Sequence, residues 1–163
     1  MVRNKLQESM WFQVTGECMA PLLRKGDIVL TTTASKVEVG DIVVIESSSP
    51  AVHRVVKMSQ NGSLVTKGDN SLSLDPPITR VNLKGKVIAI VRKNGKPIYI
   101  QGRLWGVKNH MMAGYSIVCY SIGRLLFRST LTTRIYHRFS GSLRHIHIFV
   151  STAITRFAST RSR

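Results

Sequence analysis

Up to residue 100 the chain has no helical repeat; it is a succession of short β-prone or apolar runs, each closed by a turn signal. That punctuation constrains the fold more than any other feature. Trp11-Phe12-Gln13-Val14 and Ile28 to Thr33 are β-prone. Ile42-Val43-Val44-Ile45 is apolar throughout, the pattern of a strand buried on both faces. Val52 to Met58 reads as a further strand, and Asn61-Gly62 turns it into Ser63 to Thr66. Gly85 to Val91 and Pro97 to Ile100 flank a second such signal, Asn94-Gly95. Six or seven short strands with turns every 8–15 residues predict a mainly β fold with a coiled or barrel-like sheet at its core.

After Gly102 the period changes. Leu104, Val107, Met111, Tyr115, Val118, Ile122 and Leu125 recur every three or four residues, with Lys108, Asn109, Ser116, Ser121 and Arg124 largely on other faces. This predicts an amphipathic helix, which Leu131, Ile135 and Phe139 extend. The chain therefore divides into a β domain over residues 1–102 and a basic helical extension over 103–163, whose final residues are expected to lack order. A length of 163 residues accommodates one domain and such an appendage.

Charge follows the same division. Residues 1–75 carry 8 basic and 8 acidic side chains, whereas residues 76–163 carry 16 basic and none acidic, so the net +16 belongs to the second half. A cationic segment of this kind seeks an anionic partner. Because the charge accompanies an amphipathic helix containing Trp105, an anionic membrane surface contacted through residues 103–139 is the favoured partner, ahead of nucleic acid. The uncharged stretch Asn109–Gly123 has 15 residues, fewer than the roughly 20 that a spanning helix needs. Met1 to Gln13 lacks the pattern of a signal peptide. The expected location is cytoplasmic or peripheral to a membrane. Two cysteines, Cys18 and Cys119, make no disulfide framework. His137, His145 and His147 lack metal-ligand spacing, so neither a metal nor a cofactor is expected.

Chemistry concentrates in two places. Cys18 stands in Thr15-Gly16-Glu17-Cys18-Met19-Ala20-Pro21, between a conformationally free glycine and a proline expected to start a helical turn. Such a cysteine is either an exposed nucleophile or a small buried hydrophobe, and taken alone the second is the commoner outcome. The stretch from Lys67 to Thr79, with Gly68-Asp69-Asn70 and Asp75-Pro76-Pro77, fits neither helix nor strand and is a loop suited to carry a site.

Read in order, these segments resemble the superfamily of serine peptidases that contains type I signal peptidases and LexA-type self-cleaving repressors. Gly16-Glu17-Cys18-Met19-Ala20-Pro21-Leu22-Leu23-Arg24-Lys25-Gly26-Asp27 is similar to that superfamily's G-x-S-M-x-P-x-[LF]-x-x-G-D motif, with cysteine at the nucleophile. Val39-Gly40-Asp41-Ile42-Val43-Val44 resembles the next segment, and Val81 to Val91 the closing strand. His53-Arg54-Val55 and Thr66-Lys67-Gly68-Asp69-Asn70 through Asp75 resemble the branch that includes endoplasmic-reticulum and archaeal signal peptidases, in which histidine replaces the bacterial lysine base. The resemblance spans about residues 11–92 and looks closest to anchorless members.

The resemblance implies a LexA-like fold and an endopeptidase of peptides or precursor proteins, with small side chains next to the scissile bond. It makes Cys18 the nucleophile, His53 the general base and Asp75 the carboxylate orienting it. Gly16 falls where many relatives carry a serine that assists the oxyanion, and Met19 and Pro21 are expected to shape a substrate-facing wall, with plain packing as the alternative for both. Arg54 is expected to pair with a carboxylate; Asp69, Asp27 and Asp41 to cap turns; Lys67 to structure the loop, with a role as base kept open. The chemistry is coherent in its own right. An imidazole within reach of a thiol takes its proton and returns it to the leaving amine, while a carboxylate fixes the tautomer. The alternative is a catalytically weak or inactive peptidase-like module that binds peptide, membrane surface or nucleic acid.

Overall fold

The computed structural model describes residues 9–33, 36–46, 50–71, 73–92 and 95–127. Seven strands form one antiparallel sheet: β1 (Met10–Gln13), β2 (Ile28–Thr32), β3 (Ile42–Ile45), β4 (Ala51–Met58), β5 (Leu64–Lys67), β6 (Leu83–Val91) and β7 (Pro97–Tyr99). Their order is β1-β2-β6-β3-β4-β5, with β7 also on β6. The long β6 organises this path. Its whole C-terminal portion pairs with β2, while β3 joins at Leu83–Lys86 and β7 at Ala89–Val91. Register shifts interrupt the β2–β6, β3–β6 and β4–β5 ladders, and such irregularities bend and coil a sheet.

The uninterrupted apolar run of β3 has the expected consequence. Ile42 and Val44 enter one core with Val14, Met19, Leu23, Val29, Val52, Val87 and Ile90. Val43 and Ile45 enter a second with Val37, Val55 and Leu64. Strand alternation thus places β3 between two cores, which is how a coiled sheet of short strands buries enough apolar surface. The β4–β5 hairpin turns at Gly62, with φ +80, and Asn61 Oδ1 accepts from the N–H of Ser63 at 3.1 Å.

One helix, α1 (Arg103–Phe127), follows Gly102 and packs against β4. Its orientation reverses ordinary amphipathicity. Lys108, Asn109, Met112, Ala113 and Ser116 are buried, whereas Leu104, Val107, Met111, Val118, Ile122 and Leu125 are 50–75% exposed. Gly40, at φ +97, lets the helix approach; a Cβ there would come within 2.8 Å of the Asn109 backbone. The expected helical extension at Leu131, Ile135 and Phe139, and the disorder expected of the last residues, lie outside the described residues.

Candidate active site

Cys18 lies between β1 and β2, on an excursion of turns rather than a regular helix. The N–H of Ala20 bonds to the Glu17 carbonyl at 3.1 Å and that of Leu23 to the Met19 carbonyl at 3.0 Å, so Pro21 stands inside the turns and not at the start of a helix. Its peptide bond with Ala20 is cis. Cys18 is partly buried against the first core, with Sγ 3.9 Å from the Val52 carbonyl oxygen. The neighbouring Gly16 is exposed, and a Cβ on it would lie 4.0 Å from that sulfur.

The segment after β5 supports the cysteine from behind. The Asn70 N–H donates to the Cys18 carbonyl at 2.7 Å. At Gly68 a Cβ would come within 2.7 Å of the same carbonyl oxygen, so no side chain larger than hydrogen fits there without displacing the Cys18 backbone.

His53 projects from β4. Its Nδ1 lies 2.5 Å from Oδ2 of Asp75, and Thr66 Oγ1 donates to that same oxygen at 2.7 Å. Asp75 is itself placed by its N–H, which bonds to the Thr66 carbonyl at 2.9 Å. Burial pushes the imidazole pKa down, but hydrogen bonds to Asp75 and Cys18 and the charges of both outweigh it, raising His53 to about 9. Burial likewise pushes Asp75 up, and hydrogen bonds from His53 and Thr66, with the charges of His53 and Lys67, more than offset it. The carboxyl is held below its ordinary range. The structure therefore joins His53 and Asp75 directly and sets Cys18 near enough to His53 to favour its protonated form.

Arg54, the next residue on β4, points the other way. Its Nε and Nη2 donate to the two oxygens of Asp69 at 2.7 Å each, and Nη1 to the Gly40 carbonyl and to Asn109 Oδ1 at 2.9 Å each. Both side chains of this pair are essentially inaccessible, at 1% and 0%. The bidentate geometry accounts for an arginine in the interior. Lys67 is equally buried, and Nζ donates to the Gly68 carbonyl at 3.1 Å and to Ser116 Oγ on α1 at 2.8 Å. Burial lowers its pKa. The ammonium is thus engaged with the helix, in keeping with a loop-structuring residue. Asp27 Oδ2 accepts from the Arg24 N–H at 2.9 Å and Asp41 Oδ2 from the Glu38 N–H at 2.8 Å, the turn-capping contacts anticipated for both.

Met19 departs from expectation. It has no exposed surface, belongs to the first core and receives the Asp69 N–H on its sulfur at 3.4 Å. A side chain sealed in this way packs the nucleophile loop and presents no wall to a substrate. Pro21 borders a small cleft with Trp105, Lys108 and Asn109 beneath α1. There Lys108 Nζ sits 4.0 Å over the Trp105 ring, and burial followed by the charge of Arg54 brings Lys108 down to about 8.

Sequence reasoning overlooked Thr66, Asn109 and Ser116 as partners of the site and its frame. For Asn109 and Ser116 the available signal was a pair of small neutral polar residues seven apart on the helix. Among the described residues no group of three His, Cys, Asp or Glu could hold a metal ion. No described helix is long and apolar enough to cross a membrane.

A coiled antiparallel sheet that joins a cysteine turn, a strand histidine and a loop aspartate defines the class to which this chain is related, the peptidase-like β domains. The chain belongs to the Peptidase S24-like family, whose model matches residues 1–91, consistent with the LexA-like and signal-peptidase superfamily. Membership gives the domain a peptidase-like function. No curated protein matches the chain.

Proposed function

We propose that the chain is a signal-peptidase-like endopeptidase that cleaves a peptide or precursor protein, with Cys18 as nucleophile, His53 as general base and Asp75 as the group that orients it. The observation that carries this reading is the 2.5 Å contact between His53 Nδ1 and Asp75 Oδ2, made by an imidazole whose protonation Cys18 also favours. Asp75 fixes Nδ1 and leaves Nε2 for the sulfur.

In the reaction, His53 holds the proton that it shares with Cys18 while Sγ adds to the scissile carbonyl carbon. The Cys18 N–H is assigned as one donor to the resulting oxyanion. As the C–N bond breaks, the imidazolium passes its proton to the leaving amine, and a thioester remains on Sγ. Water, deprotonated by His53, then adds to the thioester; the C–S bond breaks, the acid departs and Sγ recovers the proton. Asp75 stays ionised throughout and stabilises each imidazolium. Exposure of Gly16 beside Sγ leaves room for substrate to approach.

Protonation of the leaving amine requires imidazolium, so turnover falls as pH rises through about 9, where His53 loses its proton. Modification by a peptide bearing a thiol-reactive electrophile, followed across pH in wild type, His53→Ala, Asp75→Ala and Cys18→Ser, tests the assignment. Rapid labelling that needs both Cys18 and His53 is expected. A Cys18 no more reactive than a free thiol in every variant would transfer the chain to the non-catalytic binding module.

A further inference from the structure

Helix α1 turns its polar face inward because the sheet beneath it offers buried cations. Asn109 accepts from Arg54 and Ser116 from Lys67, and these bonds fix the rotation of the helix about its axis. The apolar residues are thereby committed to the outside. Leu104, Val107, Met111, Val118, Ile122 and Leu125 follow one another at three, four, seven, four and three residues, a single stripe along 25 residues of helix. At 1.5 Å per residue the helix is about 37 Å long. Six large side chains at 50–75% exposure in one line are not the scattered surface leucines of an ordinary domain.

We propose that this outer face of α1 lies in the interface of an anionic lipid membrane, parallel to its plane. Charge selects lipid over the other occupants. The 88 residues from 76 to 163 hold 16 basic and no acidic side chains. On the helix itself Arg103 and Arg124 are exposed near the two ends of the stripe. A second copy would bring two such cationic surfaces together, whereas acidic headgroups neutralise them while the acyl boundary takes the apolar row. Spanning is not the mode, since α1 is not apolar enough to cross. The inference extends beyond residues 1–91, which the family covers, and is independent of catalysis at Cys18.

Sedimentation of the full chain with vesicles tests it. Vesicles of phosphatidylcholine mixed with an equal part of phosphatidylglycerol should bind the protein, phosphatidylcholine alone much less, and added salt should release it. Val107→Glu and Ile122→Glu should each reduce partitioning by at least about tenfold, the loss expected from one apolar anchor. Val107→Ser, which places no charge at an already solvent-facing position, should weaken it in the same direction. An unchanged circular-dichroism spectrum and urea unfolding midpoint in these variants establish that the fold persists. Absence of binding, binding that ignores the anionic lipid, or binding that survives the Glu variants overturns the proposal. So does a dimer in sedimentation equilibrium that the same substitutions dissociate, which would give the face to a second copy.

Discussion

Asp69 and Asp75 lie on the same loop, yet they are opposite kinds of acid. Asp69 has no exposed surface, and both its oxygens are taken by an arginine whose Nη1 is also engaged, by the Gly40 carbonyl and Asn109. Asp75 retains 28% exposure and meets a histidine, a partner able to gain or lose a proton. A guanidinium never surrenders its charge near neutral pH, so the first pair can only hold structure. In the proposed reaction the second moves a proton. Burial and partner identity, more than residue type, separate the frame from the chemistry.

The widest test of that contrast is Asp75→Asn. It should lower Cys18-dependent turnover by about ten-thousand-fold, by analogy with loss of the orienting carboxylate in serine peptidases, while the urea unfolding midpoint moves little. Removing the carboxylate also removes one of the two partners that raise His53, Cys18 being the other, so the alkaline decline should begin below pH 9. A variant that kept wild-type turnover would return Asp75 to a merely structural role.

Arg54→Met should invert the pattern. Leaving Asp69 buried without its cation costs about 3–5 kcal/mol, read from urea unfolding, with the labelling rate of the folded fraction close to wild type. If stability held and labelling collapsed, the two aspartates would differ less than their surroundings imply.

The smallest expected effect concerns Ser116→Ala, which deprives the Lys67 ammonium of an acceptor. A loss of about 1–3 kcal/mol in unfolding free energy is expected, largely restored in Ser116→Thr. Equal destabilisation by both substitutions would point to helix packing as the cause.

Much of this fold can be read along the chain. Each of the seven strands falls where a β-prone run meets a turn residue, because alternation and turn chemistry are local properties. The order of their motifs is what singled out Cys18, His53 and Asp75 for the proposed reaction. The rotation of α1 was not legible. Periodicity locates an apolar face without saying whether it is buried, and here the decision rests on Arg54 and Lys67, which lie 55 and 49 residues from their helical partners. Met19 was misplaced for a related reason. A residue adjacent to a nucleophile looks accessible until the core behind the turn is known, and that core is assembled from β2, β3, β4 and β6.

Gly40 has a consequence for the order in which the molecule is made. Its bare α-carbon is the seat on which the backbone at Asn109 rests, and the matching bond to Arg54 joins residues 55 positions apart. Closing so long a loop adds little to the equilibrium cost but delays the contact. During synthesis the strands through β6 emerge before the helix, with Arg54 lacking one acceptor and Lys67 another. The peptidase-like sheet is therefore complete in outline before it is complete in charge, and the arrival of α1 is the step that finishes it.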